Sequence, residues 1–183
     1  KLNRRSIFTM APSDLLSGPV TRLTSGCITV VKKRHGLKNN VLINLLCKIR
    51  FLSDTVESKK SDKKLADESD YCLPEGSILI QDTGFQGFTL ENVAILQPKK
   101  KPKGQSLSDL DKHINQWLSS LRVRIEHAIA GVKRYRIVKD KIRCWKPGFK
   151  DAVFETCCGL HNFRLNFRPW TYKPIQLHLF VNL

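Results

Sequence analysis

The sequence predicts an α/β domain, and three observations carry that expectation. Ser77-Ile78-Leu79-Ile80-Gln81 is a continuous apolar run between Pro74 and Gly76 on one side and Asp82-Thr83-Gly84 on the other, the pattern of a buried central strand. From Ser108 to about Tyr135, apolar residues recur in steps of 4, 3, 1, 3, 4, 3, 1 and 3, from Leu110 to Val132, which is the stripe of a long amphipathic helix. With 183 residues, 41% of them hydrophobic and 26% charged, the chain can bury one core and is too apolar for wholesale disorder.

The elements follow in order. Residues 1–26 mix Arg4-Arg5, Pro12, Gly18 and Pro19 without a period and read as a degenerate or poorly ordered N-terminal segment. Cys27-Ile28-Thr29-Val30-Val31 reads as a strand running into the basic Lys32-Lys33-Arg34-His35. Val41 to Phe51 holds two further apolar stretches, the second alternating at period two from Lys48 to Leu52. Ser61 to Ser69 is polar and helix-compatible, with Leu65 and Ala66 turned inward. After the strand at 77–81, Val93-Ala94-Ile95-Leu96 is another strand, ended by the proline- and lysine-rich stretch Pro98 to Gly104. The long helix has Ser108, with Asp109 and Asp111, at its N-terminal cap. Gly131 inside it marks fraying or a close contact. Following Lys146-Pro147-Gly148, a second helix runs from Phe149 to about Phe163, and residues 169–183 form a tail.

Composition narrows the function. Thirty-two Lys and Arg against sixteen Asp and Glu give a formal charge of +16, which favours a polyanionic partner. No apolar run approaches the length needed to span a bilayer, and no secretory signal is visible. The six cysteines contain no C-x-x-C pair. Cys157 or Cys158 with His161 has the spacing of two zinc ligands, but a structural site needs about four. Buried, reduced thiols are the better reading.

Two acids and a basic loop stand out. Arg122, Glu126 and Lys133 lie four and seven apart, within about 40° and 20° of one another around the helix, so they share a face. Glu126 sits beside the core position Ile125. Alone, the set reads as a surface ion pair. Asp82 ends the most strand-like segment, at the carboxyl edge of a sheet, where α/β proteins bind ligands. A turn-forming Asp before Gly is the plain reading of that residue. If the helix crosses that edge, Asp82 and Glu126 supply the paired carboxylates that a hard divalent cation requires. Lys99, Lys100, Lys101 and Lys103 form a loop suited to phosphate contacts, which give affinity without sequence specificity. Trp117 belongs to the helix stripe and reads as core, and His127 as a partly exposed helical histidine.

At this point the chain resembles the DDE transposases of insertion sequence family five, the branch related to Harbinger-type elements. The stretches that carry the likeness are Asp62 to Glu68, Ile80 to Phe88, Gln97 to Pro102, Arg122 to His127 and Thr156 to Asn162. The family signature Tyr-x2-Arg-x3-Glu-x6-Lys is met at Arg122, Glu126 and Lys133, with Ser119 in the Tyr position. The resemblance implies an RNase H-like mixed sheet flanked by helices, over residues 27–168. It also implies a DDE superfamily endonuclease that cuts and joins DNA strands during transposition of an insertion sequence, using Mg2+ or Mn2+. In that reading Asp82 is the second acid, Glu126 the third, and Arg122 and Lys133 position the acid or contact DNA. The first acid has no clear match. Asp14 and Asp62 are the remaining candidates, and Ser61 replaces the His that precedes Asp62 in the family. Residues 1–26 depart from the family as a truncation or shifted reading frame would make them. The alternative is therefore a catalytically inactive remnant that only binds DNA. DNA is the expected partner, with no membrane, and pairing of two copies in a transposition complex is compatible with the likeness. The expected location is the bacterial cytoplasm, on the nucleoid, or the nucleus in a eukaryote.

Overall fold

The structure is a computed structural model that describes residues 22–30, 36–104, 106–140 and 142–171, the first of these stretches by its backbone only. Asp14, Lys32 to His35 and the tail beyond Thr171 lie outside the described residues.

Among the described residues six strands form one mixed sheet: β1 (Arg22–Val30), β2 (Leu37–Asn44), β3 (Ile49–Leu52), β4 (Val56–Glu57), β5 (Ile78–Ile80) and β6 (Ala94–Leu96). Their order is β3-β2-β1-β5-β6, with β4 paired to β2. Strands β1, β2 and β3 run antiparallel, from Leu23 opposite Asn44 to Val30 opposite Leu37 in the first pair. β5 and β6 join in parallel, with Arg22 opposite Ile78 and Ile78 opposite Ala94. β1 begins at Arg22, five residues before the expected Cys27, because its register against both β2 and β5 carries the ladder further back.

Period-two alternation explains why the sheet is covered on both faces. Val41 and Ile43 of β2 join one core cluster while Leu42, between them, joins another. The first cluster is closed by α2 (Asp109–Lys133), α3 (Arg136–Lys139) and α4 (Phe149–Phe167), through Ile125, Val132, Val138 and Phe154. On the opposite face, α1 (Asp62–Asp67) packs Ala66 with Leu79 and Phe85. The N-terminal half of α2 closes a third cluster, with Leu118 and Leu121 on Ile80. The result is an α/β fold with helices on both sides of a mixed sheet, compatible with the RNase H-like arrangement.

Local signals fix the helix ends. Ser61 and Ser108 accept from the backbone N–H groups of Lys64 and Asp111, capping α1 and α2. Three features differ from the sequence reading. Leu110, in the first turn of α2, is exposed rather than part of the buried stripe. α4 continues past Phe163 to Phe167, because Leu165 extends the buried stripe of Phe154, Cys158 and His161. The one-turn α3 was not anticipated; Val138 anchors it in the core.

Gly131 answers to a close contact. A Cβ there would lie 2.3 Å from His161 Nδ1, so only glycine lets α2 and α4 approach at this crossing. His161 is fully buried and its Nε2 lies 3.0 Å from the Cys47 carbonyl. The neighbouring Asn162 donates to Ile49 O and accepts from Ile49 N, each at 2.8 Å. Two consecutive α4 residues therefore grip the turn into β3. Arg124 of α2 holds the same turn, with Nη1 donating to Leu45 O at 2.9 Å. The thiols belong to this core: Cys47, Cys157 and Cys158 are buried. Burial pushes the Cys158 thiol up to about 12, and the Cys157 thiol up as well. His161 thus serves backbone and packing, and among the described residues no three His, Cys, Asp or Glu side chains gather to hold a metal ion.

Candidate active site

The site is built where β5 ends. Three apolar residues bring the chain through the centre of the sheet, and Asp82 is the second residue past the last of them, extended at φ −81° and ψ 165°. Its backbone opens a single 3-10 turn over Thr83–Phe85, which Phe85 pins into the core beneath. One carboxylate oxygen, Oδ1, accepts from the Thr83 N–H at 2.6 Å and from Thr83 Oγ1 at 3.3 Å. The other, Oδ2, lies 3.0 Å from Arg122 Nη2. The plain reading of Asp82 as a turn former is correct for one oxygen; the second faces the helix.

Arg122 is on α2, on the turn after Leu118 and beside Leu121, which dock that helix on Ile80. The same packing that seats α2 on β5 therefore carries Arg122 to Asp82. Glu126 follows one turn later, about 6 Å along the axis, and is exposed next to buried Ile125. Lys133 closes the last turn of α2, half-buried. The structure thus joins Asp82 to Arg122 and puts Glu126 on the adjoining turn, with Lys133 two turns beyond.

Asp62 comes to the turn after Asp82 by another route. At the start of α1 it forms an ion pair with Lys38 of β2 at 2.7 Å. Its Oδ2 would touch a Cβ on Gly84 at 3.0 Å. The glycine after Asp82-Thr83 is thus the residue that lets α1 lie against this turn. Lys38 was not singled out in the sequence; a lysine that is 9% exposed in a central strand reports itself only once its partner is known. Gln97 was also missed. Its Nε2 donates to the Asp82 backbone carbonyl at 2.7 Å, linking the end of β6 to the end of β5.

The lysine loop adjoins these residues. Lys99 Nζ lies 3.2 and 3.0 Å from the two oxygens of Asp111, and Lys100 Nζ donates to Gln86 Oε1 at 2.5 Å. Hydrogen bonds from Lys99 and Ser108 hold the Asp111 carboxyl below its ordinary range. Lys101 and Lys103 are exposed. Trp117 packs beside Leu118 and Leu121, as its place in the stripe requires. His127 stacks on Trp170, with ring centroids 5.1 Å apart.

Chemically, the rim offers one strand-end carboxylate held by a guanidinium, a second carboxylate on the next turn, and a lysine-bearing loop alongside. Over 87 residues, 48% of this chain, the sequence is 35% identical to a probable transposase for insertion sequence element IS702 from Microchaete diplosiphon. The matched stretch is 31% of that protein, so the chain spans about a third of the curated relative it matches. No solved structure matches the chain. Residues 27–162, well over half of the sequence and including every rim residue named above, match the family described as DDE superfamily endonuclease. The chain belongs to the DDE superfamily endonucleases.

Proposed function

We propose that this chain is the DNA-processing core of a transposase, in which Asp82 and Glu126 act together on a DNA phosphodiester. The observation that carries the reading is the Arg122–Asp82 ion pair at 3.0 Å, which ties the strand-end acid to the helix bearing Glu126. DDE endonucleases draw on a divalent cation, and carboxylate oxygens are the donors that Mg2+ or Mn2+ prefers. Asp82 and Glu126 would hold it; when bound, it supplies Lewis acidity at the phosphate oxygens. Mg2+ commonly takes one or two carboxylates and completes its shell with water and phosphate, so this donor set fits one ion seated against DNA. Arg122 keeps Asp82 oriented, and Lys133 and the lysine loop contribute positive charge along the phosphates.

A second reading, binding without cleavage, is favoured by one specific observation. β1 runs parallel to β5 toward the same rim, and its sequence, RLTSGCITV, contains no carboxylate. Of the other acids considered, Asp62 lies against Gly84 and is paired with Lys38 as Asp82 is with Arg122, and Asp14 lies outside the described residues. Incubation of supercoiled plasmid with Mg2+ or Mn2+ separates the two. Cleavage predicts nicked product that Asp82→Asn and Glu126→Gln each reduce at least a hundredfold, as loss of several kcal/mol of transition-state stabilisation requires. Duplex binding with no metal-dependent nicking in the wild type would establish the second reading and end the first.

A further inference from the structure

On the Thr83 side of the acid rim lies a groove of about 430 Å3, lined by Thr83, Gln86, Gln97, Lys99, Lys100 and Ile114 among others. We propose that this groove holds one unpaired nucleotide of a DNA strand, its phosphate on Lys100 and its base edge on the amides of Gln86 and Gln97. The inference deepens the DNA-processing reading and rests on it.

The lysine loop here is not a loose charge run. Asn115 of α2 grips the Lys99 backbone from both sides, accepting its N–H and donating to its carbonyl, each at 2.9 Å. This double clamp fixes the loop as a neighbouring strand would. Within the groove the two lysines then differ. Lys99 has its charge matched by Asp111, the one carboxylate in the lining. Among the described residues Lys100 meets the neutral amide oxygen of Gln86 and no carboxylate, so its ammonium is open to an incoming anion, and a phosphate outcompetes an amide for it. The Gln86 and Gln97 side chains each carry a donor and an acceptor on one planar group, the complement of a base edge. Ile114 gives the base an apolar wall.

Size and position point to a single unpaired nucleotide. The volume sits at the low end of small-ligand sites, far too small for a duplex. A base within a duplex also has its pairing edge occupied, so a base that reaches the amides is unstacked or at a strand end. Gln97 donates to the Asp82 carbonyl and Thr83 to the Asp82 carboxylate, so the groove opens directly onto the rim. A nucleotide here would neighbour the phosphate at Asp82.

The test is fluorescence anisotropy with the full chain in EDTA, so that neither metal nor cleavage enters. The probes are a labelled 15-nucleotide single strand, the matching duplex, and deoxyadenosine monophosphate as competitor. Lys100→Ala and Lys103→Ala each remove one charge from an exposed site in the same loop. The groove predicts about a tenfold loss of single-strand affinity for K100A, about twofold or less for K103A, and a several-fold loss for Gln86→Ala. Equal losses for the two lysine variants would overturn it in favour of general electrostatics while leaving the DNA-processing reading intact. A free nucleotide that competes as well as the strand would overturn the assignment to DNA. Failure of the wild type to bind any DNA at low salt would remove the underlying reading and the groove with it.

Discussion

Arg122 is the residue that ties the strand-end acid Asp82 to the helix carrying Glu126. Its pair with Asp82 is partly exposed, 31% and 39% on the two side chains, so its contribution to stability is small, about 1 kcal/mol or less. Arg122→Ala should therefore leave urea denaturation within about 1 kcal/mol of wild type. Duplex affinity should fall, and the slope of log affinity against log salt should become shallower by about one. An unchanged slope would mean that Arg122 serves Asp82 alone. Much of this was legible in the sequence: helical spacing put Arg122 and Glu126 on one face, and the apolar run put Asp82 at a sheet edge. What spacing could not give was the partner. The guanidinium that looked paired with Glu126 through i, i+4 faces Asp82, forty positions away in sequence, because the register of α2 on β5 decides it. Lys38 with Asp62 and Gln97 with the Asp82 carbonyl were illegible for the same reason.

Among the elements, the α2–α4 crossing carries the sharpest stability predictions. Gly131→Ala would gain helix propensity but drive a methyl into the His161 ring, 2.3 Å from Nδ1. The net result should be a loss of about 2 kcal/mol in urea unfolding, and no loss would show that the two helices separate freely. His161 also makes stability pH-dependent. Burial, opposed by its bond to the Cys47 carbonyl and aided by Arg164 and Arg134, depresses its pKa below 6.5. Above pH 6.5 both folded and unfolded chains hold it neutral, and its full contribution is present. As pH falls through 6.5 toward the depressed folded value, the unfolded chain takes up the proton first and stability is lost. The urea midpoint should therefore drop between pH 7 and 5, and His161→Gln should flatten that drop. For Gly131 the sequence left fraying or a close contact open, and the structure shows the contact; the long helix, β5 and α1 were legible because each carries a clear period or cap. The end of α4 was placed at about Phe163, short of Phe167, although Leu165 continues the 4, 3, 4 spacing of Phe154, Cys158 and His161. The short α3 carries no period, and nothing in its four residues announces it.

At the scale of the molecule, a charge of +16 bears on the binding of polyanions rather than on fold. Even without sequence preference, affinity for duplex should fall steeply with salt, by about a thousandfold or more between 50 and 200 mM if six or more phosphates are contacted. A flat salt response would assign the charge to solubility. The fold class and sheet rim followed from patterning, while the identity of the first acid did not, because the β1 sequence RLTSGCITV carries no carboxylate and no local pattern substitutes for it. The central claim is that Asp82 and Glu126 grip one cation jointly, and Mn2+ titration followed by electron paramagnetic resonance tests it most directly. In the presence of DNA, Asp82→Asn and Glu126→Gln should each weaken Mn2+ binding at least tenfold, and the double variant should be little worse than either. Wild-type Mn2+ affinity in both single variants, each folded by circular dichroism, would contradict it.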